Sequence, residues 1–105
     1  MPPWNYPFEL PLWGIIPVLL AGNTIVCKPS ENAPKTGLLI GRFFVEADLP
    51  DGLINVITGG AKTGELLVNH DYVDAVSFTG STKIGIKISN SLSKIKKIKH
   101  RTWWK

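Results

Sequence analysis

The chain is poor in cysteine, in histidine and in long apolar runs, and its last quarter contains no acidic residue. A single cysteine, Cys27, excludes an internal disulfide and any cysteine-based zinc cage. No metal site is expected. His70 and His100 are not spaced to serve Cys27 as a base, and Cys27 lies within an apolar strand pattern, so it reads as a small core residue. The apolar run from Leu10 to Gly22 is too short to span a membrane and is interrupted by Pro11 and Pro17. No basic residue precedes it, so a signal peptide is not expected. A reducing, cytoplasmic setting is the expectation, with no membrane partner.

The missing acids divide the chain. Residues 1–82 carry four Lys/Arg and eight Asp/Glu, a net of −4, whereas residues 83–105 carry eight Lys/Arg and no acid, a net of +8. The alkaline balance therefore belongs to the tail. Its composition, with Trp103 and Trp104 beside the lysines, is that of a nucleic-acid patch, but a solvated face is the simpler reading and nucleic acid is not the expected partner. With 105 residues, 44% of them hydrophobic, the chain has material for one small core.

Strand and helix patterns alternate. Residues 2–8 hold three prolines and read as extended or turning backbone. Leu10–Leu20 is expected to be a short buried helix ended by Gly22. A strand over Thr24–Lys28 follows, then a helical spacing across Ala33–Ala47, turn chemistry at Leu49-Pro-Asp-Gly52, and a strand over Leu53–Ile57. Lys62–His70 reads as a helix and Ala75–Thr79 as a strand. Gly80-Ser-Thr82 opens a fourth helix, which Lys94–Lys99 could finish. This order predicts an α/β fold, a partial Rossmann-like parallel sheet with flanking helices.

Three stretches could carry chemistry. Gly22–Glu31 ends a strand with Lys28-Pro-Ser-Glu31, and ligands of open α/β sheets lie outside the carboxyl ends of strands. A cation, a hydroxyl and a carboxylate there suit phosphate and ribose; the plainer reading is a strand-to-helix loop in which Ser30 caps the next helix. Gly80-Ser-Thr-Lys-Ile-Gly85 places free N–H groups and a partial positive charge at a helix start, which suits a phosphate or only a cap at Ser81. It is not a dinucleotide fingerprint, and it misses a P-loop because Ile86 stands where lysine is needed; Gly59–Gly64 misses likewise with Glu65. Asn5, between Trp4 and Tyr6, reads as a turn asparagine whose amide could donate to an oxyanion.

Taken together, Pro3-Trp-Asn-Tyr-Pro7, Ala21–Glu31, Ala47-Asp-Leu-Pro-Asp-Gly52 with Asn55-Val56, and Val76–Thr82 resemble the aldehyde dehydrogenase superfamily, from about Pro3 to Lys99. The resemblance implies a partial NAD-binding domain over residues 1–99, with 100–105 a tail of different origin. It implies cofactor contacts at Trp4, Lys28, Ser30, Glu31, Gly59, Gly60, Gly80 and Ser81. Lys28 and Glu31 would grip the adenosine ribose, Gly59 and Gly60 would form the turn beside the adenine, and Gly80 and Ser81 would meet the pyrophosphate. Asn5 would belong to the oxyanion hole. A carboxylate at Glu31 would repel a 2′-phosphate, so NAD is expected over NADP. In the intact family the partners are NAD and an aldehyde, which is oxidised to the acid through a cysteine thioester. That cysteine, the general-base glutamate of a Leu-Glu-Leu-Gly-Gly motif and the oligomerisation region have no counterpart here. The chain is therefore expected to be inactive alone and to lack the family's oligomer; the alternatives are a degenerate remnant without NAD binding and a basic-tail nucleic-acid binder.

The tail has a coding explanation. The codons xxA GAA CTT GGT GGA AGT GAT specify the expected motif and a Ser-Asp continuation. Read from the leucine codon's last base they become AGA ACT TGG TGG AAG TGA, which is Arg-Thr-Trp-Trp-Lys-stop, the ending of this chain. A frameshift just after His100 is thus expected. Sequencing the gene should reveal the glycine-rich motif and a catalytic domain in another frame downstream of His100; neither being there would contradict it.

Overall fold

The computed structural model describes residues 1–91 and the backbone of residues 97–101. The described elements alternate: α1 Glu9–Leu20, β1 Ile25–Cys27, α2 Pro34–Glu46, β2 Ile54–Val56, α3 Ala61–Asn69, β3 Ala75–Thr79, α4 Thr82–Ser91 and β4 Lys97–Arg101. This is the expected α/β order, with boundaries close to those read from pattern.

Local chemistry sets the element ends. Pro11 falls in the first turn of α1, where a missing N–H costs little, whereas Pro17 lies within the helix and withholds one bond. Gly22 closes α1 at φ +78°, a conformation open to glycine, and the Asn23 side-chain amide donates to the carbonyls of Val18 and Ala21, both at 3.3 Å. Pro34 starts α2, and the chain leaves it through Asp48 at φ +58°. In the turn that follows, Gly52 takes φ +80° and its carbonyl accepts the Asn55 side-chain amide at 2.8 Å.

β1 and β2 pair in parallel, with Ile25 opposite Ile54 and Cys27 opposite Val56. Ile15 of α1, Ile40 of α2 and Cys27 form the buried cluster over this pair, supported by Leu12, Leu19, Phe44 and Ile54. Gly37 is the contact that lets α2 approach, because a Cβ there would stand 2.5 Å from Cγ of Pro29. Lys28 points to the opposite face from Cys27 by strand alternation, and its stem runs beside Gly64 of α3. Helices α1 and α2 thus cover the Cys27 face, whereas Val26 on the other face of β1 is 42% exposed.

The expected partial parallel sheet is present as two two-stranded parallel pairs, β1–β2 and β3–β4. Periodicity predicts strands but not which edges meet, and no described strand lies between β1 and β3. One expectation needs correction: the basic segment does not continue as helix through Lys99. Lys97–Arg101 forms β4, with Val76 opposite Ile98 and Thr79 opposite Arg101. The alternation Lys97-Ile-Lys99 has period two and suits a strand, and β3 offers it an edge. Residues 94–96 and 102–105, including Trp103 and Trp104, lie outside the described residues.

The described helices leave large apolar side chains exposed, among them Trp13, Ile16 and Leu20 of α1 and Leu66 of α3. Exposed apolar side chains gathered in this way mark surfaces that meet other elements or partners. Ile40 is 1% exposed and Phe43 49%. Ile40→Ala should lower the unfolding free energy by about 2–4 kcal/mol in urea titration, with Phe43→Ala costing clearly less. Equal losses would contradict this placement of the core.

Candidate functional site

The loops after β1, β2 and β3 converge on one cavity of about 1410 Å³. Pro2–Tyr6 forms one wall, Lys28–Glu31 another, and Gly60 follows β2. Phe78–Thr82 brings the end of β3 and the start of α4. Trp4, Asn5, Lys28, Ser30, Glu31, Gly60, Gly80 and Ser81 all line this cavity. Gly59 does not line it; its carbonyl lies behind, accepting a hydrogen bond from Lys28.

Lys28 is the buried charged side chain among the described residues, 9% exposed. Its Nζ donates to the Gly59 carbonyl at 2.7 Å and to the Pro29 carbonyl at 3.0 Å. An ammonium has three protons, so one donor is left for a ligand. Lys28 therefore ties the end of β1 to the turn after β2, a structural duty that sequence pattern does not reveal. The turn depends on its glycines: Gly59 takes φ +151°, and a Cβ at Gly60 would stand 2.7 Å from Oε2 of Glu31. Glu31 is itself exposed, with its carboxylate lying over Gly60.

Ser30 is not the cap of α2, because Ala33 holds that position and the Ser30 hydroxyl accepts the Asn32 N–H at 3.3 Å within a turn. Ser81 does act at a helix start. Its hydroxyl accepts the Ile84 N–H at 3.4 Å, and its carbonyl accepts the Gly85 N–H at 3.0 Å. Gly80 has no room for a side chain, since a Cβ there would meet the Phe78 ring at 2.5 Å. Trp4 and Asn5 are exposed on the proline-rich wall. Cys27 is 5% exposed and burial pushes its thiol up, which suits a core residue rather than a nucleophile.

The family model for the aldehyde dehydrogenase family matches residues 1–102. The chain belongs to the aldehyde dehydrogenase family. It is 51% identical over 86 residues to betaine aldehyde dehydrogenase of Agrobacterium fabrum, covering 82% of this chain and 17% of that protein. It is 46% identical over 91 residues to 4-trimethylaminobutyraldehyde dehydrogenase A of Danio rerio, covering 87% and 18%. Among solved structures, gamma-glutamyl-gamma-aminobutyraldehyde dehydrogenase from Burkholderia cenocepacia superposes with a TM-score of 0.91 at 38% identity, covering 95% of this chain and 21% of that one. An indole-3-acetaldehyde dehydrogenase in complex with NAD+ matches with the same TM-score, identity and coverage. This aldehyde dehydrogenase chain thus spans about a fifth of such relatives, and its α/β fold is a fragment of theirs.

Two features of the wall escape sequence reading. Glu65 of α3 pairs with Lys87 of α4 across the cavity's helical side, a contact between separate helices that no spacing rule predicts. Met1 enters beside β3, and its amino group donates to the Ser77 carbonyl at 2.7 Å. Burial pulls that amine from 8.0 down to about 6, Cys27 opposing and Lys28 adding to the fall.

The Met1 shift fixes a sign. Between about pH 6 and 8 the unfolded chain holds a proton that the folded amine has released, so stability rises with pH across that window. Cys27 is displaced above its ordinary value of 9.0 and stays outside the window. Urea midpoints should rise over this range, and acetylating the amine should flatten the rise. Separately, Lys28→Met removes both carbonyl contacts and should cost about 1–3 kcal/mol in the same titration; no loss would contradict the tie between β1 and the Gly59 turn.

Proposed function

We propose that the cavity is the dinucleotide half-site of an aldehyde-oxidising enzyme and that its ligand is NAD. The observation that carries this reading is the convergence of Lys28, Glu31, Gly60, Gly80 and Ser81 on one cavity at the carboxyl ends of the strands. The residues fit the cofactor. Glu31 offers a carboxylate for ribose hydroxyls, and Lys28 keeps one donor beside it. The Ser81-capped start of α4 offers N–H groups and a partial positive charge to the pyrophosphate, and Gly80 keeps the approach free of a side chain. Gly59 and Gly60 form the turn beside the adenine, and Ser30 stands next to Glu31. When bound, NAD supplies the hydride acceptor of the family's reaction.

Trp4 and Asn5 stand on the wall that the family resemblance assigns to the reacting end. The Asn5 amide would donate to the oxygen of an aldehyde as charge develops on it. No described group of this chain supplies the covalent nucleophile, since Cys27 is core. Binding without a nucleophile and base does not replace their chemistry, so in this reading the chain alone binds cofactor but does not turn aldehydes over. The proposed change of frame after His100 falls inside β4, at the place where the family's glutamate motif is expected.

Calorimetry with NAD and NADP tests the reading. The unchanged chain should prefer NAD, because the Glu31 carboxylate repels a 2′-phosphate. Glu31→Gln should weaken NAD about tenfold, the loss of a charge-assisted hydrogen bond, while sparing NADP. NADP binding as tightly as NAD, or Glu31→Gln leaving NAD binding unchanged, would contradict the assignment. Turnover of an aldehyde by the chain alone would contradict its inactivity.

A further inference from the structure

The cavity does not end at the loops. It continues between α3 and α4, which each turn one face toward it: Gly64, Glu65 and Val68 on α3, and Ile84, Lys87 and Ile88 on α4. Residues three and four apart share a helix face, so each set forms a stripe along its helix. Val68, Ile84 and Ile88 give this cleft apolar walls. Glu65 is joined to Lys87 across it. The pair lies more than a turn below Ala61 and Thr82, where the two helices start, roughly 6–8 Å along their axes.

The pair contributes little to stability. Both side chains are more than half exposed, and ion pairs of that kind are screened by water and salt. Its place suits recognition instead. Lys87 bonds the carboxylate through Oε1, and a carboxylate accepts hydrogen bonds through both oxygens. A charged acceptor is thereby held beside apolar walls. In the dinucleotide reading, the pyrophosphate lies at the start of α4 and a ribose at Glu31. The base on that ribose enters beside Gly60, and from Gly60 the cavity continues along α3 toward Glu65. A flat ring between the helices meets Val68, Ile84 and Ile88 with its faces and brings a polar edge to the pair.

We propose that Glu65 reads the base of the dinucleotide by accepting a hydrogen bond from its 6-amino group, and that Lys87 is a positioning residue that holds the Glu65 carboxylate over the cleft; the proposal rests on the dinucleotide reading above. Adenine carries an amino donor where guanine carries an oxo acceptor. An oxo group in that place would face a carboxylate, acceptor against acceptor, and leave both without a proton to share. The pair thus selects 6-aminopurine dinucleotides over 6-oxopurine ones. This selection is separate from that of Glu31, which acts on the ribose.

The probes are NAD and nicotinamide hypoxanthine dinucleotide, in which the 6-amino group of the base is an oxo group, titrated into the full chain by calorimetry. The unchanged chain should bind NAD about tenfold more tightly, the worth of a charge-assisted hydrogen bond. Glu65→Gln should bring the two within about twofold, because its amide can turn either its oxygen or its NH2 group to the base. Lys87→Met should lower the preference to about threefold by freeing the carboxylate, and Lys87→Arg should restore it. The thermal midpoints of these variants should match that of the unchanged chain, as for any exposed ion pair. Equal binding of the two dinucleotides by the unchanged chain would overturn the proposal and leave the NAD reading standing, as would a preference that survives Glu65→Gln. A preference that survives Lys87→Met would overturn the positioning role. Binding of neither dinucleotide would overturn both readings. The comparison on the unchanged chain decides even if a variant folds poorly.

Discussion

The buried ammonium of Lys28 is the tie on which the cavity depends. Its bonds to the Gly59 and Pro29 carbonyls hold the end of β1 against the turn after β2. Without that tie the Gly60 backbone has no fixed place under the Glu31 carboxylate. A buried charge is costly unless its donors are satisfied; here two carbonyls take two of the three ammonium protons of a side chain that lines the cavity. The same residue therefore serves the fold and remains available to a ligand.

Much of the element order is legible from pattern because the chain punctuates itself strongly. Gly22 and Gly52 adopt the left-handed conformations that their turns require, and Pro34 opens α2 as the Ala33–Ala47 spacing suggests. Cys27 is core, as its neighbours Ile25 and Val26 imply. Strand pairing is less legible, because it depends on edges rather than on faces. A parallel sheet predicted from alternating elements becomes two pairs here, since nothing among the described residues occupies the full length between β1 and β3. β4 shows the same limit: Lys94–Lys99 could finish a helix by composition, yet Lys97–Arg101 becomes a strand because β3 offers an edge.

The site is legible to a different degree. Composition and spacing leave Lys28–Glu31 and Gly80–Ser81 between structural and ligand-binding readings, and the fold shows that each does structural work. Ser81 holds the start of α4, and Ser30 stabilises a turn instead of capping α2. What pattern cannot express is convergence. Asn5 and Ser81 are far apart in the chain yet share a cavity with Glu31. The Glu65–Lys87 pair and the Met1–Ser77 contact are missed for the same reason, since each joins residues with no periodic relation.

In the proposed reading the cavity binds a dinucleotide without catalysing. The most direct measurement is a nitrogen-resolved NMR titration of the full chain with NAD. The account predicts that amide shifts cluster at Glu31, Gly60 and Gly80–Thr82 and spare the α1–α2 core around Ile15 and Ile40. Shifts absent at saturating NAD, or centred away from those three loops, would contradict it.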